Sequence, residues 1–167
     1  QNLISDQKDN RLSLLFSELK LASSNAKAQR MEKKIWEIWM THKDAKINSL
    51  MILGVQLMQN NKFSASINVF NSIINKAPNF SEAWNKRATV RFLMGNLSGS
   101  IRDINKVLLL EPRHFGAISG LGVIFRTIGE PEKALKAFKK IKELYPLSKS
   151  AAFHIKELRD QIPSLDL

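Results

Sequence analysis

Three prolines, Pro78, Pro112 and Pro146, fall 34 residues apart, and each closes an amphipathic stretch. A recurrence of that kind leaves a chain few ways to fold. Each interval is one supersecondary unit, and such units bury their apolar faces by stacking on their neighbours. Sliding the sequence by the interval brings further columns into register. Leu50, Trp84 and Ile118 coincide, as do Leu53, Arg87 and Leu121, and then Gly54, Ala88 and Gly122. In the second half of the interval Ser66, Ser100 and Ala134 align, then Phe70, Ile104 and Phe138, then Ile73, Val107 and Ile141.

Each column has a physical reading. The large residue near the start anchors a first helix, and the Gly/Ala column admits a second helix at close range. The Ser/Ala column does the same from the partner helix, and the bulky residue four positions later fills the space between them. Apolar residues recur at i, i+3, i+4 and i+7, the spacing of amphipathic helices. The pattern predicts first helices over 47–60, 81–94 and 115–128, with partners over 63–76, 97–110 and 131–144. The turns Asn60-Asn61, Gly95-Asn96 and Gly129-Glu130 supply residues suited to the left-handed conformation that ends a helix. Pro131 suits a first helical position. The prolines closing each unit stop its second helix, because proline lacks an N–H and disfavours helix in the residue before it.

These residues resemble the tetratricopeptide-repeat (TPR) family, whose unit of the same length reads W-x-x-L-G-x-x-Y, then A-x-x-x-F, then P. The third unit carries Leu121-Gly122, Phe125, Ala134, Phe138 and Pro146; the middle one opens with Trp84 and closes with Pro112. The first has Leu53-Gly54, Leu57, Phe70 and Pro78. The resemblance implies an all-α fold, an α-solenoid of three helix-turn-helix units at 47–80, 81–114 and 115–148. Trp84–Met94 together with Glu111–Phe115 is further similar to small bacterial TPR proteins of undefined role, often exported.

A solenoid exposes an apolar face at each end and needs caps. Arg11–Leu21 is expected to be a helix with Leu12, Leu15, Phe16 and Leu19 on one side, and Asn25–Thr41 a second with Ala28, Met31, Ile35 and Ile38 in line. Shifted by the interval, Phe16 and Leu19 enter the anchor columns and Trp36 the aromatic one. Lys20 and Glu32 occupy the small-residue columns, and Asp44 the proline column. Residues 11–46 therefore read as a degenerate TPR-like capping pair, with Trp36 and Trp39 packed in its core. Residues 1–10 are expected to be extended or disordered. Ser150–Gln161, with Ala152, Ile155 and Leu158 in one stripe, reads as a capping helix within 149–167, ended by Pro163.

In TPR proteins the first helices line a concave face. By position, the resemblance implies a partner-binding groove lined by Asn48, Met51, Val55 and Met58, by Glu82, Asn85, Thr89 and Phe92, and by Ser119, Val123 and Arg126. Co-chaperone TPR domains hold acidic C-terminal tails with Lys, Asn and Arg at set groove positions. Met51, Val55, Lys86, Gly116 and Gly120 stand there in this chain, so that carboxylate clamp is missing. Met51, Val55, Met58, Phe92 and Val123 are expected to form one apolar patch, of the sort that marks a contact site, and methionine suits adaptable surfaces. A helix or extended segment of a partner protein is one occupant. The chain's own N-terminal helix is another, and mutual insertion into a homodimer a third.

The net charge of +11 points to nucleic acid, anionic lipid or an acidic partner. A genome that favours Lys, Asn and Ile codons gives the same balance. Lys133, Lys136, Lys139, Lys140 and Lys142 lie on one second helix, and Lys27, Arg30, Lys33 and Lys34 form another cluster. No aromatic stacking platform accompanies them, so a solvated helix face competes with nucleic-acid binding. His42, His114 and His154 are scattered without carboxylates at metal-ligand spacing. Gly120-Leu121-Gly122 lacks a preceding strand and sits in a packing column. No catalytic residue, metal or cofactor is expected, and the chain reads as a non-enzymatic protein-interaction scaffold. Its apolar runs are too short to span a bilayer, and without cysteine it has neither disulfides nor thiolate metal sites. Gln1 and the polar segment after it read as the start of an exported, processed protein of the bacterial periplasm, with the cytoplasm as the alternative.

Overall fold

The computed structural model describes residues 9–162, so Gln1–Lys8 and the tail from Pro163 lie outside the described residues. Nine helices follow one another among them, with no strand: α1 (Asn10–Lys20), α2 (Asn25–Met40), α3 (Ala45–Gln59), α4 (Phe63–Lys76), α5 (Ser81–Leu93), α6 (Leu97–Leu110), α7 (Phe115–Thr127), α8 (Pro131–Leu144) and α9 (Lys149–Gln161). The pairs α3–α4, α5–α6 and α7–α8 are the three repeat units, and each unit stacks on the next through α4 against α5 and α6 against α7.

The turns within the units form for the reason the sequence gives. Asn61, Gly95 and Gly129 have φ of 56°, 76° and 76°. The residue after each returns its N–H to a carbonyl five positions back: Lys62 to Leu57, Asn96 to Arg91 and Glu130 to Phe125, all at 2.8 Å. This is the hydrogen-bond pattern that satisfies the last carbonyls of a helix, and it recurs at the repeat interval.

The small-residue columns are where the helices of a pair touch. A Cβ added at Gly54 meets Phe70 Cε1 at 2.6 Å, and one at Gly122 meets Phe138 at 2.7 Å. Ser66 and Ser100 donate their hydroxyls across the pair to the carbonyls of Gly54 (2.8 Å) and Ala88 (2.7 Å). Gly54→Ala therefore sets two effects against each other. Helix propensity favours alanine by about 1 kcal/mol, whereas overpacking a filled core costs roughly 1–3 kcal/mol. Phe70 is fully buried and cannot swing aside, so a net loss on the order of 1 kcal/mol is expected, read as a lower urea midpoint with an unchanged m-value.

The N-terminal pair departs from expectation. It is a helical hairpin, but it does not cap the first unit. Leu12, Leu15, Phe16, Leu19, Ala28, Met31, Ile35 and Trp39 join one core with Phe115, Ile118, Leu135, Phe138, Ile141 and Tyr145 of the third unit. The hairpin folds back so that α1 lies against α8 and α2 reaches α5. Two interactions show why. Arg113 stands 4.7 Å above the Phe16 ring, and the Tyr145 hydroxyl donates to Glu32 at 3.0 Å. Burial and then the Glu32 carboxylate push the Tyr145 hydroxyl up to about 12, so it is a donor at neutral pH. In consequence, among the described residues, little covers the outer flank of the first unit. Leu53 is 43% exposed there, whereas Leu121 in the same column is half-buried against the core that holds Ala88 and Val107. At the other end α9 does cap α8, through Ala151 and Leu158.

Candidate functional site

The concave wall is built from α3, α5 and α7, and α2 covers the N-terminal ends of the last two. Trp36 supplies the cover. A Cβ on Gly116 would meet Trp36 Cη2 at 2.6 Å, Lys86 Nζ lies 5.9 Å from the centre of the Trp36 ring, and the ring meets Phe115 edge-on at 5.6 Å. Two of the positions where a carboxylate clamp would sit are thus occupied by the chain's own tryptophan. Of the occupants open at the sequence level, the N-terminal hairpin takes this part of the groove.

Beneath the cover lies a buried polar pair. His114 accepts the Ala117 N–H at Nδ1 (3.1 Å), capping α7, which leaves Nε2 to carry the proton given to Glu82 Oε2 at 2.8 Å. Both side chains are fully buried, and Trp39 stacks flat on the imidazole at 4.0 Å. Asn85 Nδ2 (3.1 Å) and Lys86 Nζ (3.3 Å) complete the shell around the carboxylate. Burial pushes the Glu82 carboxyl up, but His114, then Lys86 and Asn85, outweigh it and hold the group below its ordinary 4.5. A carboxylate depressed in this way adds stability above its unfolded value and loses it as pH falls through the folded one. The melting temperature is accordingly expected to drop once the pH falls below 4.5. Glu82→Gln should melt lower at neutral pH and show a shallower acid limb, and an unchanged limb would refute the assignment.

Among the described residues, the concave side opens in two separate hollows and not as one continuous patch. The first, of about 320 Å³, is framed by Met40 and Thr41 from the end of α2 and by Asn48, Met51, Ile52, Val55 and Gln56 of α3. Met51, 2% exposed, forms the floor of this hollow, and Met58 is half-buried against the first unit's core. The second hollow, of about 220 Å³, lies between α5 and α7 and brings together Asn85, Thr89, Phe92, Ser119, Gly120 and Val123 over Ala88 and Ile104. Phe92 and Val123 are half-buried at its sides and Thr89 is exposed. Glu82 belongs to the buried pair and lines neither hollow. Arg126 points away to α9, where Nη1 donates to His154 Nδ1 at 3.3 Å. Burial and then the Arg126 charge hold His154 below its usual value, keeping that nitrogen an acceptor, and the imidazole stacks on Phe138 at 4.3 Å. Among the described residues no three of His, Cys, Asp or Glu converge as metal ligands do.

Sequence comparison agrees with this architecture. The tetratricopeptide-repeat family matches residues 117–148. A TPR repeat-containing protein of Rhizobium etli is 34% identical over 152 residues, covering 91% of this chain and 74% of its own. The chain belongs to the TPR family. Solved TPR structures share the fold at lower identity. The first TPR of Spaghetti, bound to an HSP90 peptide, superposes with a TM-score of 0.67 at 19% identity, over 74% of this chain and 98% of its own. The Yersinia enterocolitica type III secretion chaperone SycD, in complex with a peptide of the translocator YopD, gives 0.65 at 13% identity, over 71% and 96%. At such identities the likeness is one of fold.

No helix among the described residues of this TPR chain is long and apolar enough to cross a membrane.

Proposed function

We propose that this TPR chain is a non-enzymatic protein-interaction scaffold that grips a partner segment by one apolar side chain seated between α5 and α7. The observation that carries the reading is the open hollow between Phe92 and Val123, beside the part of the wall that Trp36 covers. Its roughly 220 Å³ lies below the range of about 300 Å³ and upward usual for small-molecule pockets, and suits a single leucine, methionine or phenylalanine side chain. Thr89, exposed at its edge, offers its hydroxyl oxygen to a backbone N–H alongside. Support also comes from two TPR structures of the same fold that carry peptides. So small a contact implies affinity of micromolar order, about −8 kcal/mol.

Gly120 makes the test clean. A Cβ there meets Ile104 Cδ1 at 3.5 Å, an ordinary contact, so Gly120→Met fills the hollow without displacing backbone. A photoreactive side chain at exposed Thr89 should form a discrete adduct with a partner in the source cell, and that adduct should vanish in Gly120→Met. The same probe at Asn105, exposed on α6, serves as the control. An adduct that survives the plug, or that forms equally from Asn105, sinks the proposal.

A further inference from the structure

A second cleft lies outside the concave wall, between α8 and the capping helix α9. Lys139 and Lys142 approach it from α8, Lys156 and Arg159 from α9, and Ala152 and Ile155 add apolar surface; its volume is about 590 Å³. Within each pair the two cations are one helical turn apart, so two rows of positive charge face each other across a trough. None of the four forms an ion pair with a described carboxylate. The ion pairs of α8 belong to Lys133 and Lys140, with Glu130 and Glu143, and Lys142 donates to the Pro146 carbonyl. The one acidic group among the described lining residues, Asp160, is exposed at the end of α9. By contrast, the buried carboxylates Glu82, Asp103 and Glu111 all have cations beside them. Four of the cations without a described carboxylate partner therefore border this one cleft.

The lining discriminates among anions. Its described residues include no aromatic ring on which a base could stack. Its cations face one another across a trough instead of lying on one plane, unlike a surface that rests on a membrane. Asp160 would repel a phosphate backbone running through that end, whereas a short segment can stop before it. Ala152 and Ile155 offer contact to an aliphatic side chain between the charges. We propose that the α8–α9 cleft docks an acidic, aliphatic-bearing segment of a partner protein, its carboxylates set among Lys139, Lys142, Lys156 and Arg159. The site is separate from the α5–α7 hollow and stands whether or not that hollow binds anything.

The test uses the full chain and a labelled Leu-Glu-Glu-Leu-Glu-Glu peptide followed by fluorescence anisotropy. Two charge-reversal pairs make the same change in net charge at exposed positions: Lys139→Glu with Arg159→Glu in the cleft, and Lys33→Glu with Lys34→Glu on α2. Binding at low salt is expected, weakened roughly tenfold or more by the cleft pair and less than about twofold by the α2 pair. The glutamine version of the peptide should not bind, and Gly120→Met should bind the acidic peptide normally. Lys156→Gln, a milder change at an exposed side chain, should weaken binding in the same direction. Equal weakening by both pairs would mean attraction to net charge alone and overturn the proposal. So would failure of the peptide to bind, or a DNA duplex or phosphatidylserine vesicle that depends on the cleft pair when the peptide does not.

Discussion

Replacing Trp39 with alanine is expected to cost about 3 kcal/mol, the lower end of the range for emptying a large aromatic from a core. The side chain is fully buried. It stacks on His114 at 4.0 Å, lies 4.9 Å from Phe115, and meets Trp36 at 5.3 Å and Phe16 at 5.9 Å. The loss should sit at the low end because the indole N–H is buried without a hydrogen-bond partner. Leaving such a donor unpaired costs roughly 1–3 kcal/mol, and the substitution removes that burden along with the ring. By the same reasoning Trp39→Phe should be far milder. Where the loss falls matters more than its size. Trp39 fastens α2 to α7, so hydrogen exchange should speed up in α1 and α2 while the amides of α4 and α6 keep their protection. A uniform change across all helices would show that the hairpin and the repeats open as one unit.

Asp103→Ala should be at least as damaging, about 3–5 kcal/mol, the usual loss on breaking a buried ion pair from one side. The carboxylate is 1% exposed. It receives Arg87 through two hydrogen bonds, at 2.9 and 2.7 Å, and Arg91 at 2.9 Å. Arg87 also donates to Asn71 of α4 at 2.7 Å, so one carboxylate on α6 ties together three helices of two units. Removing it strands two guanidiniums. Exposed ion pairs are typically worth about 0–1 kcal/mol, and a loss of that size in urea denaturation would show that water screens this cluster. The strong coupling expected here should also appear in a double-mutant cycle with Arg87→Ala.

The repeats were legible in the sequence because what specifies them is local. Gly54 faces Phe70 and Gly122 faces Phe138 at a fixed separation along the chain, so a column of residue types carries the contact. The helix termini follow from Asn61, Gly95 and Gly129 for the same reason. The position of α2 was not legible, since Ala28, Met31 and Ile35 declare an apolar face but not what it rests on. A clue did exist in Gly116, a small residue on a wall where larger ones are usual, which leaves room for Trp36. The groove residues divide accordingly. Asn85, Thr89, Phe92, Ser119 and Val123 do come together, whereas Asn48, Met51 and Val55 form a separate hollow with α2. Met58 is half-buried against the first unit's core, and Arg126 turns to His154. Glu82 needed a partner 32 residues away, His114, that no spacing rule ties to it.

The clasp between Glu32 and Tyr145 joins residues 113 positions apart. A row of stacked hairpins can normally assemble one after another as each leaves the ribosome, since each needs only its neighbour. Here α1 and α2 are synthesised before the three units yet find their seat only when Phe115, Leu135 and Tyr145 have emerged. Their apolar stripe must therefore wait, uncovered, through the making of most of the chain.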